Sequence, residues 1–202
     1  NERWYSFDYG NVHFVVLESV LYRYSDESYM MDIMRDWVDA DLAASDAEWK
    51  IVMYHEPSYD AGHRREEWGW SRFLPVFRAR GVDLVLSGHA HGYQRFHPMS
   101  KKGVNEDHPV TYVVTAGAGS SVGSVPENLP HLAAHAEVHH YTAITVEDGR
   151  LEGRAIKADG TLDEKVLQKM VIELVKTVNK KMKGFSRKET VTYYRSIVDR
   201  AW

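Results

Sequence analysis

Two short stretches hold the residues that could do chemistry. "KIVMYHE" (50–56) ends an apolar run on His55, and "DLVLSGHAHGYQR" (83–95) ends another on Gly88, His89 and His91. Neutral imidazole is among the commonest metal ligands and also titrates near physiological pH. In extended chain, residues two apart point to the same side, so His89 and His91 can converge. Gly88 lets the backbone turn tightly where a side chain would clash. A single histidine of this kind is usually structural or a surface residue. Two successive apolar runs that both end on histidine point to a shared binding site.

The elements that must position them read as alternating strands and helices. "WYSFDY" and "VHFVVLES" flank Gly10-Asn11, a hairpin signal. Residues 28 to 44 place Met30, Met34, Trp37, Val38 and Leu42 at helical spacing. "KIVMY" (50–54) reads as a strand, followed by the polar loop "HEPSYDAGHRREE". Residues 67 to 80 read as a helix ending at Gly81, kinked or divided by Pro75. "VDLVL" is the next strand. Strand, helix, strand with short loops is the pattern of a largely parallel, covered α/β sheet, and such sheets bind ligands beyond the carboxyl ends of their strands. Both histidine clusters fall there. Four antiparallel-type strands follow in "GYQRFHP", "VTYVVTAG", "YTAITVED" and "RLEGRAIK", the last two joined at Asp148-Gly149.

Composition bounds the rest. The 202 residues are 44% hydrophobic, enough for one sizeable core. There is no cysteine, which excludes a disulfide framework, a thiolate metal site and a cysteine nucleophile. No apolar run reaches the ~18 residues of a membrane span, and "NERWYSF" at the start carries no signal-like segment. The net charge is -4, yet the last 38 residues carry +7, so the first 164 carry -11. Residues 161–202 contain two S/T-x-x-E capping boxes, Thr161 to Glu164 and Ser186 to Glu189, each ahead of an apolar periodic run. The spacing predicts a body over residues 1–160 and a helical tail over 161–202. The tail is read as a solvated helical face, or as a surface docking on the acidic body or a partner. An acidic body without interleaved basic and aromatic residues argues against a nucleic-acid partner.

The stretches "YSFDYGNVHFVVLES", "IVMYHEPSYD", "GVDLVLSGHAHGYQR" and "VTYVVTAGAGS" together resemble the calcineurin-like metallophosphoesterases, and among them the purple acid phosphatases. The resemblance covers roughly residues 4 to 157 and runs in the family's order. It implies an α/β fold, the C-terminal half of a four-layer α/β/β/α sandwich, that hydrolyses phosphate esters with two metal ions (iron, zinc or manganese). His55 and His89 would share one ion and His91 would ligate the other. The family pattern also has histidines in the loop after His55 that bind phosphate or protonate the leaving group. His63 is the nearest match, displaced by about one position, with Arg64 and Arg65 beside it. A periplasmic or secreted setting goes with this resemblance.

The family's aspartate, GD-x-x-D or GD-x-x-Y, and GNH motifs are absent. Asp8 and His13 flank a hairpin turn and match no family ligand. Three neutral imidazoles bring no negative charge, whereas hydrolytic sites usually use about three or four protein ligands per metal, often carboxylates. The expectation is a chain that binds metal weakly, is inactive alone, exposes a sheet face or edge, and either self-associates or is completed by a missing N-terminal half. The alternatives are a non-catalytic metal-binding module that has lost the carboxylates, or a partner-binding protein that works through its tail. Lesser candidates are the glycine-rich "TAGAGSSVGS" (115–124), read as a loop at the rim of the cleft, and the cluster His131, His135, His139 and His140. His131 and His135 stand at helical i, i+4 spacing, suited to zinc, and His139 and His140 are candidates to approach the cleft. Glu56 is a candidate to bond a ligand histidine from behind.

Overall fold

The computed structural model describes residues 3–20, 28–62, 68–69, 71–100, 103–104, 109–125, 131–147, 149–160 and 170–173. Strands β1 (Tyr5–Tyr9) and β2 (Val12–Val16) form the expected hairpin, with Tyr9 opposite Val12 across the Gly10-Asn11 turn. Helix α1 (Ser28–Ala44) follows, then β3 (Trp49–Tyr54), α2 (Leu74–Ala79) and β4 (Leu84–Ser87). Beyond them lie β5 (Tyr93–Phe96), the short pair β6 (Met99–Ser100) and β7 (Gly103–Val104), β8 (Thr111–Thr115) and β9 (Leu132–Ala136). The hairpin of β10 (His140–Glu147) and β11 (Arg150–Lys157) comes next, and β12 (Met170–Glu173) is last.

Seven strands make one sheet in the order β1-β2-β3-β4-β8-β5-β9. Its centre is parallel: β2 with β3, β3 with β4, and β4 with β8. The chain then reverses, so β5 runs antiparallel to both β8 and β9. The alternation of apolar residues along β3 explains why both faces are covered. Val52 and Tyr54 face a core built with Met34, Val38 and Leu42 of α1 and Leu74 and Phe77 of α2. Trp49 and Ile51 face the opposite way, against Leu151 and Ala155 of β11 in a second core. The described layers are therefore helix, sheet, sheet. The outer helical layer implied by the family resemblance has no counterpart among the described residues.

Two local readings are corrected. The helix expected over 67–80 is confined to Leu74–Ala79, because Pro75 sits in its first turn, where its fixed φ and missing N–H favour initiation rather than a kink. Trp68, Gly69 and residues 71–73 form turns ahead of it. In the tail, Met170–Glu173 is a strand rather than helix and pairs antiparallel with Arg150–Gly153. The open edge of β11 offers a row of backbone partners, and that ladder overrides the local helical spacing. The rest of the expected helical tail, 161–169 and 174–202, lies outside the described residues. No helix among the described residues is long and apolar enough to cross a membrane.

The edge hairpin is held by polar bonds on one face and leaves aromatics on the other. Tyr5, Phe7 and Tyr9 are exposed, and Phe7 stacks on Phe14 at 4.9 Å between ring centroids. On the helix side, His13 is buried with Nδ1 2.7 Å from Asp8 Oδ1 and Nε2 2.8 Å from Asp41 Oδ2. Ser6 Oγ donates to the second oxygen of Asp41 at 2.7 Å. One imidazole thus ties the hairpin to α1, which gives Asp8 and His13 a structural role. His13→Ala should empty a buried site, strip the half-buried Asp41 carboxylate of its ring partner, and cost about 2 kcal/mol in urea denaturation. Asp8→Ala should cost well under half of that, because the Asp8 side chain is 71% exposed.

Candidate metal centre

Parallel pairing of β3 with β4 aligns Tyr54 with Ser87, so the next residues, His55 and Gly88, leave the sheet side by side. The Gly88 N–H donates to the His55 carbonyl at 2.9 Å, which carries the pairing one step past the strands. The chain then turns sharply: the Ala90 N–H donates back to the Gly88 carbonyl at 2.7 Å, and His89 adopts a left-handed φ of 62°. This turn swings the His89 ring onto His55. His89 Nδ1 lies 3.2 Å from His55 Nε2, with the rings inclined at 72°. A Cβ on Gly88 would stand 3.3 Å from His55 Nδ1, so glycine there gives the His55 ring its room.

His91 is half-buried, and its carbonyl accepts the Gly123 N–H at 2.8 Å. Gly92 and Ala116 exchange backbone bonds at 3.3 and 3.0 Å. The glycine-rich segment after β8 is thereby held beside the His91 turn. Its residues 118–121 are exposed, in keeping with a loop. His63, Arg64 and Arg65 lie outside the described residues. Among the described residues, no group of three or more His, Asp or Glu side chains is placed to hold a metal ion. The structure therefore brings His55 and His89 together and places His91 two residues further along the same turn.

The later histidines do other work. His131 and His135 do not share a helix face: His131 precedes β9 at a φ of 80°, and His135 lies within β9 opposite Gln94. The open edge of β5 supplies backbone partners to "LAAHA", and that pairing decides for a strand. His140 is buried, with Nε2 3.2 Å from Thr115 Oγ1 and Nδ1 3.0 Å from the Val138 carbonyl. Its ring stands edge-on to Tyr93, and any Cβ on Gly117 would collide with it. Both of its nitrogens are engaged, so it braces the two sheets. His139 directs Nδ1 at the Gly117 carbonyl, 3.1 Å away.

The loops behind the histidines are set by buried polar side chains that sequence patterns do not flag. Ser19 Oγ, just beyond β2, accepts the N–H of the buried Glu56 at 2.8 Å. Tyr54 and Ser58 share a hydroxyl bond at 2.7 Å, and Ser58 donates to the Trp68 carbonyl at 2.6 Å. Burial raises the Tyr54 phenol well above its ordinary value, so it stays a neutral donor. The signal available in advance was weak: polar residues close to apolar runs, with the partner of Ser19 more than thirty positions away.

Comparison with known proteins is consistent with this geometry. Residues 4–93 match the calcineurin-like phosphoesterase family. Acid phosphatase A of Cryphonectria parasitica is 29% identical over 177 residues, covering 72% of this chain and 34% of that protein. Purple acid phosphatase 22 of Arabidopsis thaliana is 39% identical over 100 residues, 46% of this chain and 22% of that protein. The chain thus spans about a third or less of the length of these curated relatives. Among solved structures, purple acid phosphatase PPD1 from yellow lupin seeds superposes with a TM-score of 0.68 at 22% identity, over 79% of this chain and 31% of that one. The Plasmodium protein GAP50, the anchor in the inner membrane complex, gives 0.65 at 15% identity, over 85% of this chain and 54% of that one. At these identities the two structures speak for the fold.

The left-handed turn at His89 yields a direct test. Glycine adopts this φ without the roughly 1 kcal/mol penalty of other residues. In denaturant titrations without metal, His89→Gly should therefore be about 1 kcal/mol more stable than His89→Ala. Equal midpoints would show that the turn is unstrained.

Proposed function

We propose that this chain, a calcineurin-like phosphoesterase related to the purple acid phosphatases, supplies the histidine half of a dinuclear site for phosphate-ester hydrolysis. The observation that carries the reading is the 3.2 Å approach of His55 Nε2 to His89 Nδ1 at the ends of adjacent parallel strands. Two imidazole nitrogens on one ion at about 2.0–2.1 Å in tetrahedral geometry stand ~3.3 Å apart, so this pair fits a shared cation. His91, two residues on, is assigned to the second ion. When bound, two such ions hold phosphate oxygens and lower the pKa of a water molecule for in-line attack.

The chain's own residues divide the remaining tasks. His55 and His89 orient their lone pairs through the β3–β4 register and the Gly88 turn. Ser19, through Glu56, and Ser58, through Trp68, hold the loop that leaves His55. His63, with Arg64 and Arg65, is assigned to phosphate binding or to protonating the leaving group. The negative charge that two cations require is not brought by these imidazoles. The proposal therefore includes carboxylates from a further polypeptide segment or a partner, and low activity of the 202 residues alone. A periplasmic or secreted setting belongs to the same proposal.

A second reading, a metal-binding or partner-binding module without catalysis, is favoured by one observation: no three-ligand group exists among the described residues. Zinc calorimetry and elemental analysis of the purified chain test the metal assignment itself. Weak binding is expected, with Kd on the order of 10 μM, since two or three imidazoles replace a full ligand set. His89→Ala should weaken it on the order of 100-fold, as losing a ligand should cost at least as much as losing a ligand's support. His140→Ala should leave it unchanged. Zinc binding insensitive to His89 would overturn the assignment. Efficient turnover of a phosphate monoester by the 202 residues alone would overturn the division of ligands.

A further inference from the structure

Gln94 lies in β5, three residues beyond His91, and is 1% exposed. Its neighbours across the sheet are Val114 and His135, yet its side chain leaves the sheet for a loop more than thirty residues earlier. Gln94 Oε1 accepts the Ala61 N–H at 2.7 Å, and Gln94 Nε2 donates to Asp60 Oδ1 at 2.8 Å. The same Asp60 oxygen accepts the Gly62 N–H at 2.7 Å. Ala61 and Gly62 are buried, and a Cβ on Gly62 would lie 3.0 Å from Asp60 Oδ1 and 3.6 Å from Gln94 Nε2. The neutral amide of Gln94 offers both the acceptor and the donor that this arrangement uses.

The loop that leaves His55 is thus held at several points along its length. Near its base, Ser58 holds the Trp68 carbonyl and the Tyr54 hydroxyl. At residues 60–62, it is clamped by the strand that leaves His91. We infer that Gln94 is a positioning residue: it couples the His55 loop to the His91 strand and fixes the point from which the chain runs on to His63. The inference deepens the hydrolase reading above and rests on it for its catalytic meaning. Gln94 itself acts through the loop and needs no contact with metal or phosphate.

The test uses the full chain and amide exchange by NMR, first without metal. In Gln94→Glu, a second carboxylate faces Asp60 Oδ1, and exchange at Ala61 and Gly62 should rise about tenfold while β3 and β4 amides stay unchanged. Asp60→Asn added to Gln94→Glu restores a donor–acceptor pair and should recover much of that loss. If Gln94→Glu does not fold, Asp60→Ala serves instead and should accelerate Gly62. The His91 ring resonances should shift in these variants, a response that loop loosening alone would not produce. With zinc present, affinity for inorganic phosphate should fall about tenfold in Gln94→Glu, with zinc affinity kept within about twofold. Unchanged exchange at 61 and 62, an unmoved His91 ring, or acceleration spread equally over β3 and β4 would overturn the inference. Failure of the unsubstituted chain to bind zinc would instead overturn the metal reading, with the coupling still decided by exchange.

Discussion

The parallel register of β3 with β4 is the constraint on which the rest depends. It sets Tyr54 against Ser87, and every later contact at the strand ends follows from that alignment. A slip of one residue would put the wrong side chains outside the sheet, since strand side chains alternate faces. The register is enforced from both sides. Val52 and Tyr54 fill the helix-side core, while Trp49 and Ile51 fill the core between the sheets. A slipped β3 would exchange the two sets between the cores and turn Lys50 into the core between the sheets. Lys50 instead donates from Nζ to the Leu42 and Arg80 carbonyls at 2.7 and 3.2 Å.

Once the register is fixed, the site is assembled from short-range geometry. Backbone pairing continues through Gly88 and His55, and the left-handed turn at His89 brings two ring nitrogens to 3.2 Å. Glycine at 88 and a strained histidine at 89 are the local cost of that approach. Around it, the supporting bonds run between distant segments: Ser19 to Glu56, Gln94 to Ala61 and Asp60. They join loops that a rigid sheet would otherwise leave loosely tethered. Such buried side-chain bonds to backbone groups serve positioning, since each satisfies a backbone donor that could not reach water.

The histidines of this chain illustrate how one residue type serves different ends. His13 bridges two aspartates and pins the edge hairpin to α1. His140 fills the space above Gly117 and joins β10 to β8 through Thr115. His55 and His89 instead face one another, in rings that are exposed and half-buried. Access to solvent and the direct approach of one ring nitrogen to another set this pair apart. Residue type and spacing alone could not have separated it from the other histidines.

Much of the architecture was legible from periodicity. The hairpin at Gly10-Asn11, the helix over 28–44, the strands ending at His55 and before His89, and the late β10–β11 hairpin all follow from local pattern. The approach of His55 to His89 was foreshadowed too, because histidines at two strand ends need no long-range information to be noticed. What sequence could not decide depends on partners distant in the chain. The segment 132–136 became a strand because β5 offered an edge, and 170–173 became a strand because β11 did. Pro75 started a helix because the preceding turn placed it there. The roles of His13, Gln94 and His140 emerged only when the fold supplied Asp41, Ala61 and Thr115. Local pattern determines which elements form and where chemistry can reside. Long-range pairing decides which polar atoms meet, since a hydrogen bond is set by the separation of its atoms in space and not along the chain.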